Sequence, residues 1–381
     1  MRIRSTKSPA AGGLGVSLLA AALVLGCGHS EPFPDSNYGS ENPFDDTPPV
    51  RLTYNTAADR GAAWLPDGSG IVYSAQQASR GDADVCLAVL PATGGSQRDL
   101  WCDVPVGPDR RDAVESGAPG PEGGIAFLTA DGTPLGVNPV REVIAVAPTL
   151  DPRGRAEVRT FPVTPDGGLP EGTVSFLRWL DPTRLVYVGA QFRTKMHCPT
   201  CTVDTVRIGQ GVSVIATDQP GGSPTALPGT AYATGVATSG NPDHVYYTLA
   251  GDTRVYRRTL SSGVTDIVHD FGPAGVVRDI SLAGERLAAV VGGRVHFVVD
   301  PLFGPVQWDS GGDIHVVNLS SGEDSFIQSE RMLFRRPAIS PGGNAIVAEG
   351  YGVTIIRVSD APIDFDTLVS KTSDLYLYGA P

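Results

Sequence analysis

Cysteine is the residue type in this sequence whose spacing most clearly suggests chemistry. The chain of 381 residues has five of them: Cys27, Cys86, Cys102, Cys198 and Cys201. The even number beyond Cys27 favours disulfide bonds in an exported chain, and the N-terminal sequence indicates export. Cys86 falls in a predicted third strand and Cys102 just past the fourth strand of the same sheet. Because adjacent antiparallel strands bring such residues within bonding distance, we expect these two to form a disulfide.

Cys198 and Cys201 form a Cys-X-X-Cys motif within the loop sequence KMHCPTC. In an oxidising compartment this spacing predicts a local disulfide. A metal half-site that includes His197 is an alternative, but zinc needs further ligands and no second Cys-X-X-Cys motif occurs. A thioredoxin-like redox site would need the start of a helix in a βαβ unit, and haem attachment would need histidine where Thr202 stands. We expect the disulfide and predict no metal.

Motifs of the common catalytic sites are absent from the sequence. It has no Gly-X-Ser-X-Gly nucleophile turn, no His-Glu-X-X-His zinc motif, no P-loop and no EF-hand loop. Asp67, Asp181 and Asp243 fall in predicted turns, where a structural role is favoured. Trp64 and Trp179 occupy repeated positions, which favours packing in the core over stacking on a ligand. The sequence therefore predicts no catalytic residue and no cofactor, and it leaves ligand-binding residues unassigned.

The first 26 residues resemble the signal peptide of a bacterial lipoprotein. Basic residues in MRIRSTK precede an apolar stretch that is too short for a comfortable membrane span. The stretch ends in VLGC (Val24–Cys27), which resembles the lipobox. In that family the cysteine receives a diacylglycerol, with palmitate-type acyl chains, and the chain is cut before it. The resemblance implies a signal peptide over residues 1–26 and a lipid anchor on Cys27. A plain secretory signal and an uncleaved anchor are the alternatives.

The residues after the cysteine bear on the location of the protein. By resemblance to enterobacterial sorting, Gly28 in place of aspartate implies the outer membrane, on its periplasmic face or on the cell surface. Residues 27–49 are rich in proline and acidic residues and contain no Lys or Arg, which is typical of a disordered tether. The formal net charge of −12 argues against a nucleic-acid partner, because phosphate binding needs clustered basic residues.

The remaining sequence, residues 50–381, alternates short β-type segments with turn signals. Gly (47) and Pro (32) are abundant and only 18% of residues are charged, which fits many short strands and does not fit a helical protein. The phrase AAWLPDGSGIVYSA (Ala62–Ala75) indicates a strand, a Pro-Asp-Gly turn and a second strand. Five weaker copies follow at intervals of about 40–60 residues: Gly117–Ala130, Leu177–Ala190, Gly235–Ala250, Arg278–Gly292 and Arg335–Gly350.

A period of this length indicates a β-propeller with four-stranded blades. Six copies predict an all-β, six-bladed propeller, and a long insert at His296–Gly312 leaves room for a seventh blade. A pair of β-sandwiches is the alternative fold. The repeats resemble those of the TolB-like propeller, a relative of the WD repeat, in which Trp-Ser-Pro-Asp-Gly separates the first two strands. The best match is Trp64–Gly68, with Leu65 in place of serine, and the resemblance covers residues 50–381.

The two ends of this region predict how the propeller closes. The C-terminal sequence SDLYLYGAP indicates a third strand with no fourth strand after it, and VRLTYN (Val50–Asn55) indicates a strand without its own hairpin. Propellers remove a free sheet edge by pairing strands from both ends of the chain in one blade. We therefore expect VRLTYN to be the outer strand of the last blade.

Binding is the function that this organisation favours. A membrane-anchored propeller without catalytic motifs is expected to dock an envelope protein or a small ligand on one face or in its central funnel. An enzyme that acts on glycan or peptide in the funnel is the alternative, and it needs acids or histidines that converge at the loop ends. A structural module of a larger surface complex is the third interpretation.

Overall fold

The computed structural model describes most of the region that was expected to form the propeller. The described residues are 49–54, 57–76, 85–102, 115–130, 142–150, 158–163, 174–197, 202–219, 221–292, 295–300, 304–309, 312–327, 332–360, 363–370 and 372–380. They form 27 strands and a single 3-10 turn at Gly272–Ala274. In this part of the chain no helix is long and apolar enough to cross a membrane. The predicted signal peptide, Cys27, the tether, Cys198 and Cys201 lie outside the described residues.

Six four-stranded antiparallel sheets form the blades, so the predicted all-β, six-bladed propeller is confirmed. Blade 1 contains β2 (Asp59–Trp64), β3 (Gly70–Gln76), β4 (Val85–Pro91) and β5 (Arg98–Cys102). Blade 2 contains β6 (Glu115–Pro119), β7 (Ile125–Ala130), β8 (Glu142–Ala147) and β9 (Arg159–Pro162). Blade 3 contains β10 (Val174–Asp181), β11 (Arg184–His197), β12 (Thr202–Ala216) and β13 (Thr225–Ala226). Blade 4 contains β14 (Ala233–Ala237), β15 (His244–Leu249), β16 (Arg254–Thr259) and β17 (Thr265–Asp270).

The last two blades carry additional strands, a two-stranded hairpin in blade 5 and one strand in blade 6. Blade 5 contains β18 (Val277–Ala283), β19 (Arg286–Val291), β22 (Asp313–Asn318) and β23 (Asp324–Ile327). Blade 6 contains β24 (Met332–Ile339), β25 (Ala345–Asp360), β27 (Asp374–Gly379) and β1 (Val50–Arg51). Between β19 and β22, β20 (Val295–Asp300) and β21 (Gly304–Asp309) pair with each other and with no other described strand. The insert therefore forms a separate hairpin and not a seventh blade. In blade 6, β26 (Ile363–Val369) pairs with the far half of the long strand β25.

The first strands of the blades form a closed ring. β2 contacts β6, β6 contacts β10, and the contacts continue through β14, β18 and β24 back to β2. The apolar side chains of the middle strands pack between neighbouring blades. One such cluster joins Val72 and Leu87 of blade 1 to Ile125 and Phe127 of blade 2. Because these sheets are covered on both faces, their strands appear in the sequence as continuous apolar runs, as in β3, where six of seven residues are buried.

The N-terminal strand closes the last blade, as the sequence predicts. β1 pairs antiparallel with β27, with Val50 opposite Leu377 and Arg51 opposite Tyr376. The Arg51 guanidinium reaches the Asp374 carboxylate at 2.7 Å, and the Leu52 N–H donates to the Leu375 carbonyl at 2.8 Å. The order of blade 6 is therefore β24, β25, β27 and β1. The pairing places the beginning and the end of the domain in one sheet and covers the edge of β27.

Candidate functional site

Every inner strand is irregular in its pairing with the second strand of its blade. The register shifts once or more along β2, β6, β10, β14, β18 and β24. In blades 1, 3 and 6 a residue within the shift has a positive φ, namely Gly61 at 64°, Phe176 at 56° and Arg336 at 44°. Glycine adopts this conformation freely, whereas phenylalanine and arginine do so at a conformational cost. Bulges of this kind redirect the side chains that follow them in the strand.

Beyond these irregularities the inner strands lead to a cavity of about 590 Å³, which we call the axial cavity. All six blades line it with the end of the first strand and the turn after it. Its wall consists mainly of small or apolar residues, together with the indole rings of Trp64 and Trp179. Sites for small molecules typically have volumes of about 300–1,000 Å³ and mostly apolar walls. The axial cavity is therefore the candidate functional site.

The two tryptophans also connect neighbouring blades. The Trp64 Nε1–H of blade 1 donates to the Ala338 carbonyl of blade 6 at 2.8 Å. In the same way, the Trp179 Nε1–H of blade 3 donates to the Ala118 carbonyl of blade 2 at 2.8 Å. Both rings pack against buried clusters, so the predicted packing role holds, but the same rings also face the cavity. They fix the positions of the blades around the site.

Prolines form much of the rim of the axial cavity. They stand in the turn between the first and second strands of five blades, and each is exposed: Pro66, Pro121, Pro182, Pro242 and Pro341. In blade 5 the corresponding turn contributes Gly284 instead. Proline has a fixed φ and no N–H, so the rim is stiff and offers few hydrogen-bond donors. An apolar surface of this kind suits contact with an apolar part of a ligand or partner.

A network of polar groups around the buried Glu349 connects blades 5, 6 and 1. The fully buried Glu349 accepts hydrogen bonds through Oε1 from the Gly61 N–H at 2.7 Å and from Arg336 Nη1 at 3.3 Å. Its Oε2 accepts from the Tyr351 hydroxyl at 2.9 Å, and burial raises the pKa of Tyr351 to about 12. The Arg336 N–H donates to Asp279 Oδ2 at 2.9 Å. Burial also raises the pKa of Asp279, against the lowering effect of this hydrogen bond.

Arg178, in β10, is the cation of the cavity wall. Its Nη1 donates to the Leu177 carbonyl at 2.9 Å, and within the described part of the chain no ion pair joins it to a carboxylate. Desolvation and the nearby charge of Arg336 lower the pKa of Arg178 to about 10, while Asp279 acts in the opposite direction. The guanidinium is thus still protonated at neutral pH. The cavity wall thus carries a positive charge without a direct ionic partner among the residues that the structure describes.

The three aspartates of the predicted turns are used within those turns. Asp67 Oδ1 accepts from the Ser69 N–H at 2.9 Å, and Asp243 Oδ1 accepts from the Ser261 N–H at 2.7 Å. Asp181 accepts from the Thr183 N–H at 2.8 Å and pairs with Arg184 at 2.6 Å. Hydrogen bonds to these carboxylates lower the pKa of all three, so they are ionised at neutral pH. Their role is structural, and only Asp181 reaches the wall of the axial cavity.

The cysteines that the structure describes are Cys86 and Cys102, and they form the predicted disulfide. They lie directly opposite each other on the paired strands β4 and β5. Together with Asp99 they are the one group of three potential metal ligands close together among the described residues. Because both sulfur atoms belong to the disulfide, this group cannot act as a thiolate metal site. The prediction for Cys198 and Cys201 stays a prediction.

Sequence reasoning missed Arg178, although the repeats contain a signal for it. The first paired residue after the register shift is alanine in three blades, at Ala63, Ala118 and Ala338. In blade 3 the same position is Arg178. By the same rule blade 4 has Gly235 and blade 5 has Asp279, so a charged residue replaces alanine at two copies of the repeat, Arg178 and Asp279, which indicates a local function. The comparison requires the exact register of each blade, which the weak repeats alone do not provide.

Comparisons with known proteins support the fold. No protein-family profile and no curated sequence matches the chain. The chain is similar to the structure of a gluconolactonase from Xanthomonas campestris, with a TM-score of 0.50, 12% identity, and coverage of 88% of this chain and 90% of that chain. It is also similar to TolB from Acinetobacter baumannii (TM-score 0.46, 14% identity, covering 86% and 67%) and to a nidogen/laminin complex (0.44, 11%, covering 73% and 82%). At these identities the likeness concerns the fold alone.

Proposed function

We propose that this protein is a lipid-anchored propeller of the cell envelope that binds a protein or a small ligand at the axial cavity. The observation that carries the proposal is the cavity, because all six blades line it and stiff, exposed prolines border it. Cross-blade hydrogen bonds from Trp64 and Trp179 hold its wall in place. A preformed cavity with an apolar wall supports binding, since little ordering is needed when the ligand enters.

The proposed cellular location depends on the N-terminal sequence. A signal peptide ending at residue 26 and acyl chains on Cys27 place the propeller at the outer membrane, and two or more chains hold a protein stably. The acidic, proline-rich segment 27–49 then separates the domain from the lipid surface. Mass spectrometry of the membrane fraction tests this proposal. We expect a mature N terminus at Cys27 with the added mass of the acyl chains, and an unmodified Cys27 at the N terminus would disprove it.

A photo-crosslinking experiment tests the proposed binding face. The photoreactive residue p-benzoylphenylalanine replaces Pro121 at the rim in one variant and the exposed Tyr232, in the segment between blades 3 and 4, in a control variant. After irradiation of native cells, we expect a reproducible adduct from position 121 and not from position 232. The adduct is expected to disappear in Cys27→Ala, because the domain then leaves the membrane. Equal adducts from both positions, or none from position 121, would contradict docking at the cavity.

An enzyme that acts on glycan or peptide is the second candidate. The one observation in its favour is Asp279, a carboxyl of the polar network whose pKa is raised by burial, as in a general acid. Glu349 is already used by three donors, and the turn aspartates are committed to their own turns. We favour binding because these acids are occupied. Hydrolysis of an envelope glycan or peptide that is lost in Asp279→Asn would reverse this preference.

A further inference from the structure

Arg178 is an unusual residue for the wall of an apolar cavity. It stands where three other blades have alanine, and its neighbours on the wall are mainly small or apolar. The hydrogen bond described for its guanidinium goes to the carbonyl of the preceding residue, Leu177. An arginine side chain has five N–H donors, so most of this capacity remains for another acceptor.

The charges nearby do not explain why arginine is present. Glu349 pairs with Arg336. The charge of Asp279 favours the protonated Arg178, but Asp279 accepts the Arg336 N–H, and among the described residues it forms no direct ion pair with Arg178. Desolvation lowers the pKa of Arg178, which means that its charge is costly in this position. A desolvated cation without a direct ionic partner, as Arg178 is among the described residues, stabilises the empty protein poorly. An anion that enters the cavity would supply both the missing charge and the missing acceptors.

The size and lining of the cavity limit the size and polarity of the part of the ligand that does not carry the charge. About 590 Å³ is enough for a small organic molecule, and Trp64 and Trp179 offer apolar surfaces at its wall. The guanidinium is planar and matches the two oxygens of a carboxylate in a bidentate contact. A single arginine suits a monocarboxylate better than a phosphate dianion, which carries about twice the charge.

We propose that the axial cavity binds a small organic monocarboxylate, with its carboxylate on the Arg178 guanidinium and its apolar body against the tryptophans. This inference rests on the proposed binding function and specifies the chemistry of the ligand. It makes Arg178 a specificity-determining residue: an uncharged molecule of the same shape loses the ionic contact while it keeps the apolar one. In three other blades the equivalent residues are Ala63, Ala118 and Ala338, and their small side chains leave space for the apolar part of the ligand.

Two probes of the same shape test the proposal by isothermal titration calorimetry. The first is 2-naphthoate, and the second is its uncharged amide, 2-naphthamide. We expect the wild-type protein to bind 2-naphthoate more tightly than 2-naphthamide by about 10-fold or more, which is the effect of one charged hydrogen-bonded contact. In Arg178→Gln the affinity for 2-naphthoate should fall to that for 2-naphthamide, and the affinity for 2-naphthamide should change little.

Arg159→Gln is the matched control. Arg159 also donates through Nη1 to one backbone carbonyl, that of Thr217, but it is exposed and lies outside the cavity wall. This variant should retain the wild-type preference for 2-naphthoate. Equal affinities of the two probes for the wild type, binding of neither, or an equal loss in both variants would overturn the proposal.

Thermal unfolding separates a ligand-binding role of Arg178 from a structural one. Because the side chain is desolvated and forms no ion pair within the described residues, Arg178→Gln should melt at the wild-type temperature or above it. A clearly lower melting temperature would assign Arg178 to the structure and overturn the proposal. If Arg178→Gln fails to fold, Arg178→Lys keeps the charge and should still prefer 2-naphthoate, though less strongly. The crosslinking result at position 121 is independent: an adduct without a preference for 2-naphthoate rejects the carboxylate and keeps the docking function.

Discussion

Arg336 has a backbone conformation that disfavours arginine, and it is held in this conformation by polar contacts. Its φ of 44° lies in the region that glycine prefers, and the equivalent residue of blade 1 is Gly61. Its backbone N–H donates a hydrogen bond to Asp279 of blade 5, and its guanidinium forms an ion pair with the buried Glu349. Strain of this kind persists only where the surrounding contacts determine the conformation. At the residue scale, the interior of the propeller is therefore organised by a few polar contacts between blades.

Glu349→Ala should be among the most damaging substitutions in this network. It removes the acceptor of Gly61, Arg336 and Tyr351, and each buried donor left unsatisfied costs about 1–3 kcal/mol in the free energy of unfolding. Tyr351→Phe is the control, because it removes one donor and should cost about 0.5–1.5 kcal/mol. Urea denaturation measures both. A Glu349→Ala variant as stable as Tyr351→Phe would show that the network contributes little.

The element that varies most among the blades is the connection between the second and third strands. In blade 3, β11 and β12 pair over 14 residues of β11, up to His197 opposite Thr202. In blade 6, β25 continues past its blade to pair with β26, and blade 5 inserts the hairpin β20–β21. The turns after the inner strands are instead short, and five of the six contain a proline. At the element scale, one type of connection is thus free to vary while the turns at the axial cavity stay compact.

The disulfide of blade 1 is expected to stabilise the strands β4 and β5. It closes a segment with a sequence separation of 16, for which restriction of the unfolded chain gives about 3 kcal/mol. The double variant Cys86→Ser/Cys102→Ser should therefore lose about that free energy of unfolding in urea. Adding a reductant to the wild type and to the double variant provides the control. A loss that appears only on reduction of both proteins would instead point to Cys198 and Cys201.

The molecule as a whole depends on the pairing of its two ends. The first strands form a ring, and the joint of blades 6 and 1 is held by β1 on β27 and by the Trp64 hydrogen bond. Arg51, Leu52 and Thr53 all contact residues of β27, through the ion pair with Asp374 and hydrogen bonds with Leu375. Without these contacts the last sheet has an open edge and the ring has a weak joint.

Deletion of residues 50–56 should abolish cooperative unfolding of the propeller. The deletion removes β1 and with it every contact that it makes with β27. A deletion of equal length in the predicted tether, residues 40–46, should leave the transition unchanged. Urea denaturation followed by circular dichroism and by tryptophan fluorescence compares the two proteins. An unchanged, coincident transition after removal of residues 50–56 would mean that the joint is not needed for closure.

The sequence by itself determined the class of fold and the way the ring closes, and it limited the number of blades to six or seven. These features follow from local geometry. It is encoded in the repeated strand–turn–strand phrases, in the abundant Gly and Pro, and in the strand at each end that lacks a partner in its own hairpin. The Cys86–Cys102 pairing followed from the same strand order, and the turn roles of Asp67, Asp181 and Asp243 followed from their local positions.

Only the tertiary structure decided where the site lies and which residues face it. Arg178 lies on the cavity wall, and Asp279 and Glu349 belong to the polar network. They come from three different strands, and their arrangement depends on how the strands pair after each irregularity. A shift of one residue moves a side chain to the other face, so a weak repeat cannot specify it. The insert at His296–Gly312 illustrates the same limit: its alternation predicts strands, but pairing in the fold made it a separate hairpin and not a blade.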